Sequence, residues 1–102
     1  MIAYEVNLDV DADADVFSSF RAWLDEHVQH MLALPGFVSA EILECTDPAP
    51  PAGRRSLCTI YLLASDADLQ RYLREDAPHM REDGLRRFPG KFSATRRILV
   101  AS

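Results

Sequence analysis

Leu57-Cys-Thr-Ile-Tyr-Leu-Leu-Ala64 is the stretch that decides the fold. It is a nearly continuous apolar and β-branched run, too short for a typical buried helix, and it suits a central strand covered on both sides. One layer of helices covers only one face of a sheet, so a strand of this composition calls for a second cover on the other.

Upstream of this run, Asp47-Pro-Ala-Pro-Pro-Ala-Gly-Arg-Arg55 has the proline and glycine content of an exposed hairpin loop. Before the loop, residues 37 to 46 read as a strand. Its alternation places Val38, Ala40 and Ile42 on one face and Phe37, Ser39, Glu41, Leu43 and Cys45 on the other. Downstream, Ser65 and Asp68 have the spacing of a capping box with Asp in place of Glu. Leu69, Tyr72, Leu73, Ala77 and Met80 then continue a helical stripe. Pro78 lacks a donor N–H and restricts Ala77, so this helix is expected to kink or to restart as a short helix ending near Phe88.

Toward the N-terminus, Ile2, Tyr4, Val6, Leu8 and Val10 alternate with Ala3, Glu5, Asn7 and Asp9, the pattern of a half-buried strand. The acidic run Asp9, Asp11, Asp13 and Asp15 supplies capping oxygens and favourable charge for a helix start. Val16, Phe20, Trp23, Leu24, His27, Val28 and Met31 follow at amphipathic helical spacing, and Leu34-Pro35-Gly36 stops the helix. After Pro89-Gly90, residues 91 to 100 form the last strand, with Ser93, Thr95 and Arg97 on one face and Phe92, Ala94, Ile98 and Val100 on the other. The order βαββαβ makes this an α+β, ferredoxin-like chain, residues 1 to 102 forming one domain with a four-stranded antiparallel sheet and its helices on one face.

The chain has 102 residues, of which 48% are apolar and 26% charged, so it suffices for one core and argues against disorder. Sixteen acids against eleven bases give a net charge of −5, which repels nucleic acid. The late basic residues, from Arg71 to Arg97, are interrupted by Glu75, Asp76, Glu82 and Asp83 and read as a solvated helix face. The N-terminal stretch carries no basic and apolar signal pattern and no membrane span, which makes the cytoplasm the expected location.

Four segments carry a family resemblance: Trp23-Leu-Asp-Glu-His27, Met31-Leu-Ala-Leu-Pro-Gly-Phe37, Arg71-Tyr-Leu-Arg-Glu-Asp-Ala-Pro78 and Gly84-Leu-Arg-Arg-Phe-Pro-Gly-Lys-Phe92. Together they resemble a bacterial family of small proteins, a domain of unknown function within the dimeric α/β-barrel superfamily. That superfamily includes antibiotic-biosynthesis monooxygenases, stress-responsive barrel proteins, muconolactone-isomerase-like proteins and heme-binding relatives. The resemblance implies a homodimer whose two sheets face each other, with a pocket in each subunit between sheet and helices. It implies no single chemistry. The chain departs from the family's usual His-x-Pro by having Val28-Gln29 after His27.

His27 is the first candidate catalytic residue, a general base on the helix face that carries Trp23 and Met31; the competing reading is a histidine hydrogen-bonded in the core. His27, His30 and His79 could approach a metal, but no HExxH spacing or fixed carboxylate completes a triad, so neither metal nor organic cofactor is expected. Tyr4, Trp23, Tyr61, Tyr72 and Phe92 either line a pocket for a flat apolar ligand or fill a core. Together with His27 and His79, these tyrosines and Trp23 are the ligand-binding candidates.

Glu5, Asn7, Glu41, Tyr61 and Arg97 are read at outward sheet positions. In a dimer they would become interior, with Glu5 or Glu41 matched to Arg97 to fix the register. Cys45 and Cys58 flank the hairpin loop and could face one another across it; in a reducing compartment they stay thiols. Three functions remain: a homodimer binding a small apolar molecule or serving an accessory role; a cofactor-independent monooxygenase, isomerase or cyclase using His27; and a structural dimer without ligand. An open cavity beside His27 would favour the enzyme, and a filled core there the structural module.

Overall fold

The alternation of the first ten residues produces the strand on which the fold is built. The computed structural model describes residues 1–102. Its elements are β1 (Ile2–Asp11), α1 (Ala14–Leu32), β2 (Phe37–Cys45), β3 (Arg54–Leu63), α2 (Asp66–Glu75), α3 (Ala77–Arg87) and β4 (Phe92–Val100). The sheet order is β2-β3-β1-β4 and every pairing is antiparallel, so the chain is a ferredoxin-like α+β fold in the order βαββααβ. No helix is long and apolar enough to cross a membrane.

Local chemistry sets the helix ends as the sequence suggested. Asp13 caps α1, its Oδ1 accepting from the N–H groups of Asp15 and Val16 at 3.1 Å each. Ser65 caps α2, its Oγ accepting from the Asp68 N–H at 3.2 Å while its hydroxyl donates to Asp68 Oδ2 at 2.9 Å. Pro78 sits in the first turn of α3, where a missing N–H costs nothing, and Asp76 forms the joint between α2 and α3.

All three helices cover one face of the sheet. Tyr4, Leu8 and Val10 of β1 and Leu57, Tyr61 and Leu63 of β3 are buried there against Phe20, Leu24, Val28 and Met31 of α1 and Leu69 and Tyr72 of α2. At roughly 1.5–3 kcal/mol for each large side chain removed from water, this single cluster supplies most of the drive to fold. The opposite face has no helix over it, and Cys58, Ile60 and Leu62 of β3 remain half-exposed there.

Three expectations need correction. A bulge between Phe37 and Ser39 shifts the β2 register, so Phe37 turns to the helix face and stacks edge-on to Tyr61 and Tyr72, whereas Val38 is 51% exposed. Strict alternation had placed these two residues the other way round. Tyr61 lies opposite Tyr4 in the β1–β3 register and is buried, so it belongs to the helix face and not to the outward polar set. Cys45 faces Ser56, whereas Cys58 faces Leu43, which puts the two thiols two positions out of register; both are free.

The outward polar residues fall as the alternation predicts. Glu5 and Arg97 are cross-strand partners, with Arg97 Nη2 at 2.8 Å and Nε at 2.9 Å from Glu5 Oε1. Asn7 donates to Asp9 Oδ1 at 3.3 Å on the same face. Glu41 lies on β2, separated from Arg97 by two strands, and so leaves Glu5 as its partner.

Candidate functional site

Between sheet and helices the side chains fail to close. A cavity of about 250 Å³ lies there, bounded by β1, β3 and β4 below and by α1, α2 and α3 above. Tyr4, Trp23, His27, Tyr61 and Tyr72, all singled out from the sequence, line it; His79 does not. Twelve of the seventeen lining residues are hydrophobic, and the other five are His27, Thr59, Arg81, Ser93 and Arg96, without one carboxylate.

Aromatic packing shapes one end. The Tyr4 ring stacks on Tyr61 at 6.2 Å between centroids and meets Tyr72 edge-on at 5.8 Å. The Tyr4 hydroxyl accepts from Arg81 Nη2 at 3.0 Å, which ties α3 to the centre of the sheet. Burial pushes the phenols of Tyr61 and Tyr72 up, so both are neutral hydroxyls at physiological pH.

At the other end Trp23 and His27, one helical turn apart on α1, stack at 4.7 Å. Trp23 Nε1 donates to Asp83 Oδ2 at 2.9 Å, and Asp83 Oδ1 also accepts from Arg86 and Arg87 at 2.7 and 3.0 Å. These donors hold the Asp83 carboxyl well below the usual carboxylate range. Gly84 makes this packing possible: a Cβ there would lie 2.8 Å from the Trp23 ring.

Burial lowers the His27 pKa from its ordinary value near 6.5, the Asp83 carboxylate opposes that shift, and His30 adds to it. His27 is therefore a neutral imidazole at neutral pH, able to accept a proton. On its solvent side it borders a polar depression with His30, His79, Glu82, Asp83, Arg86 and Arg87. The three histidines thus share a rim, and no three His, Cys, Asp or Glu groups converge there or elsewhere as a metal site.

The family model described as Domain of unknown function (DUF4286) matches residues 1–102. The chain belongs to the DUF4286 family. No curated protein matches this DUF4286 chain in sequence. Among solved structures it is similar to SnoaB, a cofactor-independent oxygenase from Streptomyces nogalater, with a TM-score of 0.63 and 17% identity over 99% of this chain and 92% of that one. An ethyl tert-butyl ether D (EthD) family protein from Bacillus halodurans C-125 superimposes with a TM-score of 0.64 at 15% identity, covering 100% of both chains. A dimeric ferredoxin-like protein from an uncultured marine organism gives 0.62 at 14%, covering 100% of this chain and 97% of that one. At these identities the likeness is one of fold.

Sequence reasoning missed four polar residues of the DUF4286 cavity: Thr59, Arg81, Ser93 and Arg96. Arg96 was open to discovery, because it sits between Ala94 and Ile98 in the inward series of β4. Thr59 was hidden inside an apolar run. Arg81 reaches the cavity only because Asp76 redirects the chain from α2 into α3, an angle that no spacing rule conveys.

Proposed function

We propose that the DUF4286 domain is a homodimer in which each copy holds a small, largely apolar molecule in the cavity between sheet and helices. The observation that carries this reading is the cavity itself, mainly hydrophobic, with a few polar groups at its walls and a volume a little below the roughly 300–1,000 Å³ of drug-sized ligand sites, which suits a small occupant. The sheet face without helices supports the dimer. Leu43 and Leu99 are 45% and 41% exposed on it, around the Glu5–Arg97 pair, and a second copy is the cover that a dimeric ferredoxin-like relative suggests.

Ala94 lines the cavity from β4, and Ala94→Phe would place a ring inside it. Ligand-observed NMR with 2-acetylnaphthalene should show binding to the wild type and lose it in Ala94→Phe at unchanged dimer mass. Equal signals from both proteins would move binding out of this cavity.

A second reading, a cofactor-independent enzyme, is favoured by the cavity reaching His27 and by the neutral state of that imidazole. His27 would take a proton from the carbon beside a substrate carbonyl, leaving an enolate that is reprotonated, or passed on to further chemistry, within the pocket. The simplest test is exchange of the α-protons of 2-tetralone in D2O. Catalysed exchange should rise with pH as the imidazole loses its proton and reach its plateau at a lower pH than an ordinary histidine would give, since burial lowers the His27 pKa and the base form is the active one. His27→Ala should abolish it with the fold intact; the same rate in both proteins would remove His27 from this role.

A further inference from the structure

We infer that the molecule held in the cavity is an organic anion, a ring-sized apolar body carrying one acidic oxygen group seated at Arg81 and Arg96. This deepens the ligand-binding reading, on which it rests, by fixing the charge and orientation of the occupant.

Charge distribution is the first ground. The chain carries sixteen acids and eleven bases, yet the cavity wall holds two arginines and no acid. A neutral ligand would need no such bias, and the field of a net-negative surface would keep an anion out unless the site itself were positive.

The second ground is pairing. Seven of the eleven bases form an ion pair with Asp or Glu; Arg54, Arg74, Arg81 and Arg96 form none, and of these four only Arg81 and Arg96 line the cavity. Arg81 is half-buried, donates from Nη2 to the Tyr4 hydroxyl, and leaves Nε buried without an acceptor. A guanidinium withdrawn from water without a counter-charge is costly, and an anionic occupant removes that cost through a planar, charge-assisted contact.

Thr59 is the third. It is 1% exposed, lines the same cavity, and its Oγ1 has no hydrogen-bond partner. A buried hydroxyl of this kind suits an oxygen-bearing ligand, since an unmade hydrogen bond costs more than a made one contributes. The hydrophobic remainder of the wall excludes a bare inorganic anion as the natural fit and selects an organic one. Carboxylates, enolates and sulfonates share the needed chemistry.

Isothermal titration at low ionic strength with 2-naphthoate and the neutral 2-acetylnaphthalene tests this. The naphthoate should bind at least about tenfold more tightly. Arg81→Gln and Arg96→Gln should each cut naphthoate affinity by about tenfold and shift the ketone by less than about threefold. Arg81→Gln also removes the bond to Tyr4, a contact of the fold itself, so the exposed Arg96→Gln carries the test independently. Ketone binding as tight as naphthoate, or naphthoate affinity indifferent to both substitutions, would overturn the anion while leaving the pocket in place. Binding of neither probe would overturn both readings.

Discussion

Gly36→Ala should cost the fold about 2–5 kcal/mol, a large share of the 5–15 kcal/mol that typically separates folded from unfolded states. Gly36 ends the turn from α1 into β2 at φ +83°, where an L side chain carries a penalty of about 1–2 kcal/mol. Its new Cβ would also fall on Cβ and Cγ of Asp68 in the first turn of α2. Asp68 has little room to yield, because its own N–H and carboxylate are both bonded to Ser65. Overpacking of this kind adds about 1–3 kcal/mol. Gly53→Ala is the matched control: φ is +75° there, but nothing lies within 4 Å of the added carbon, so only the backbone penalty applies. Urea unfolding of the two variants should separate them by at least about 1 kcal/mol, and equal midpoints would show that the α2 start moves aside freely.

If the proposed dimer forms through the bare sheet face, Arg97→Glu should leave the chain monomeric at micromolar concentration, weakening association by at least about a hundredfold. Glu5 and Arg97 face each other across β1 and β4 on the bare sheet face, where the Glu5 side chain is only 15% exposed already in the single chain. Substitution sets two carboxylates directly opposite one another, an arrangement that destabilises a strand pair even in water. Beneath a second sheet the same two charges would also lose their hydration with no partner to replace it. Size-exclusion chromatography with light scattering reads the outcome directly. A dimer mass unchanged across a wide dilution range would place the contact on another surface.

How much of this was legible beforehand follows from what each feature depends on. Period-two alternation in residues 2 to 10, the caps at Asp13 and Ser65, and the break at Pro78 are local, and local chemistry set all of them. Phe37 and Val38 were misassigned because one extra residue in a strand leaves no mark on composition, yet reverses which side chains reach the core. Tyr4, Trp23, His27, Tyr61 and Tyr72 could be named as one group because they share the apolar faces of their elements, whereas His79, chosen as a chemical type, fell outside. The cavity itself was expected from the family resemblance and not from residue patterns, which left a pocket and a filled core both open. A void is a place where side chains stop short of one another, and that depends on how three helices settle on the sheet.

The strand order carries a consequence for how the molecule comes to exist. β1 pairs on one side with β3 and on the other with β4, Ile2 lying opposite Val100. The sheet therefore cannot close until β4 arrives beside β1, and closing so long a loop is entropically slow compared with forming the β2–β3 hairpin. On the ribosome, β1 waits with one edge open until β4 has emerged. Each chain must finish joining its own β1 and β4 before that edge is claimed by a neighbour, and so the speed of synthesis and the order of assembly are tied to one pairing.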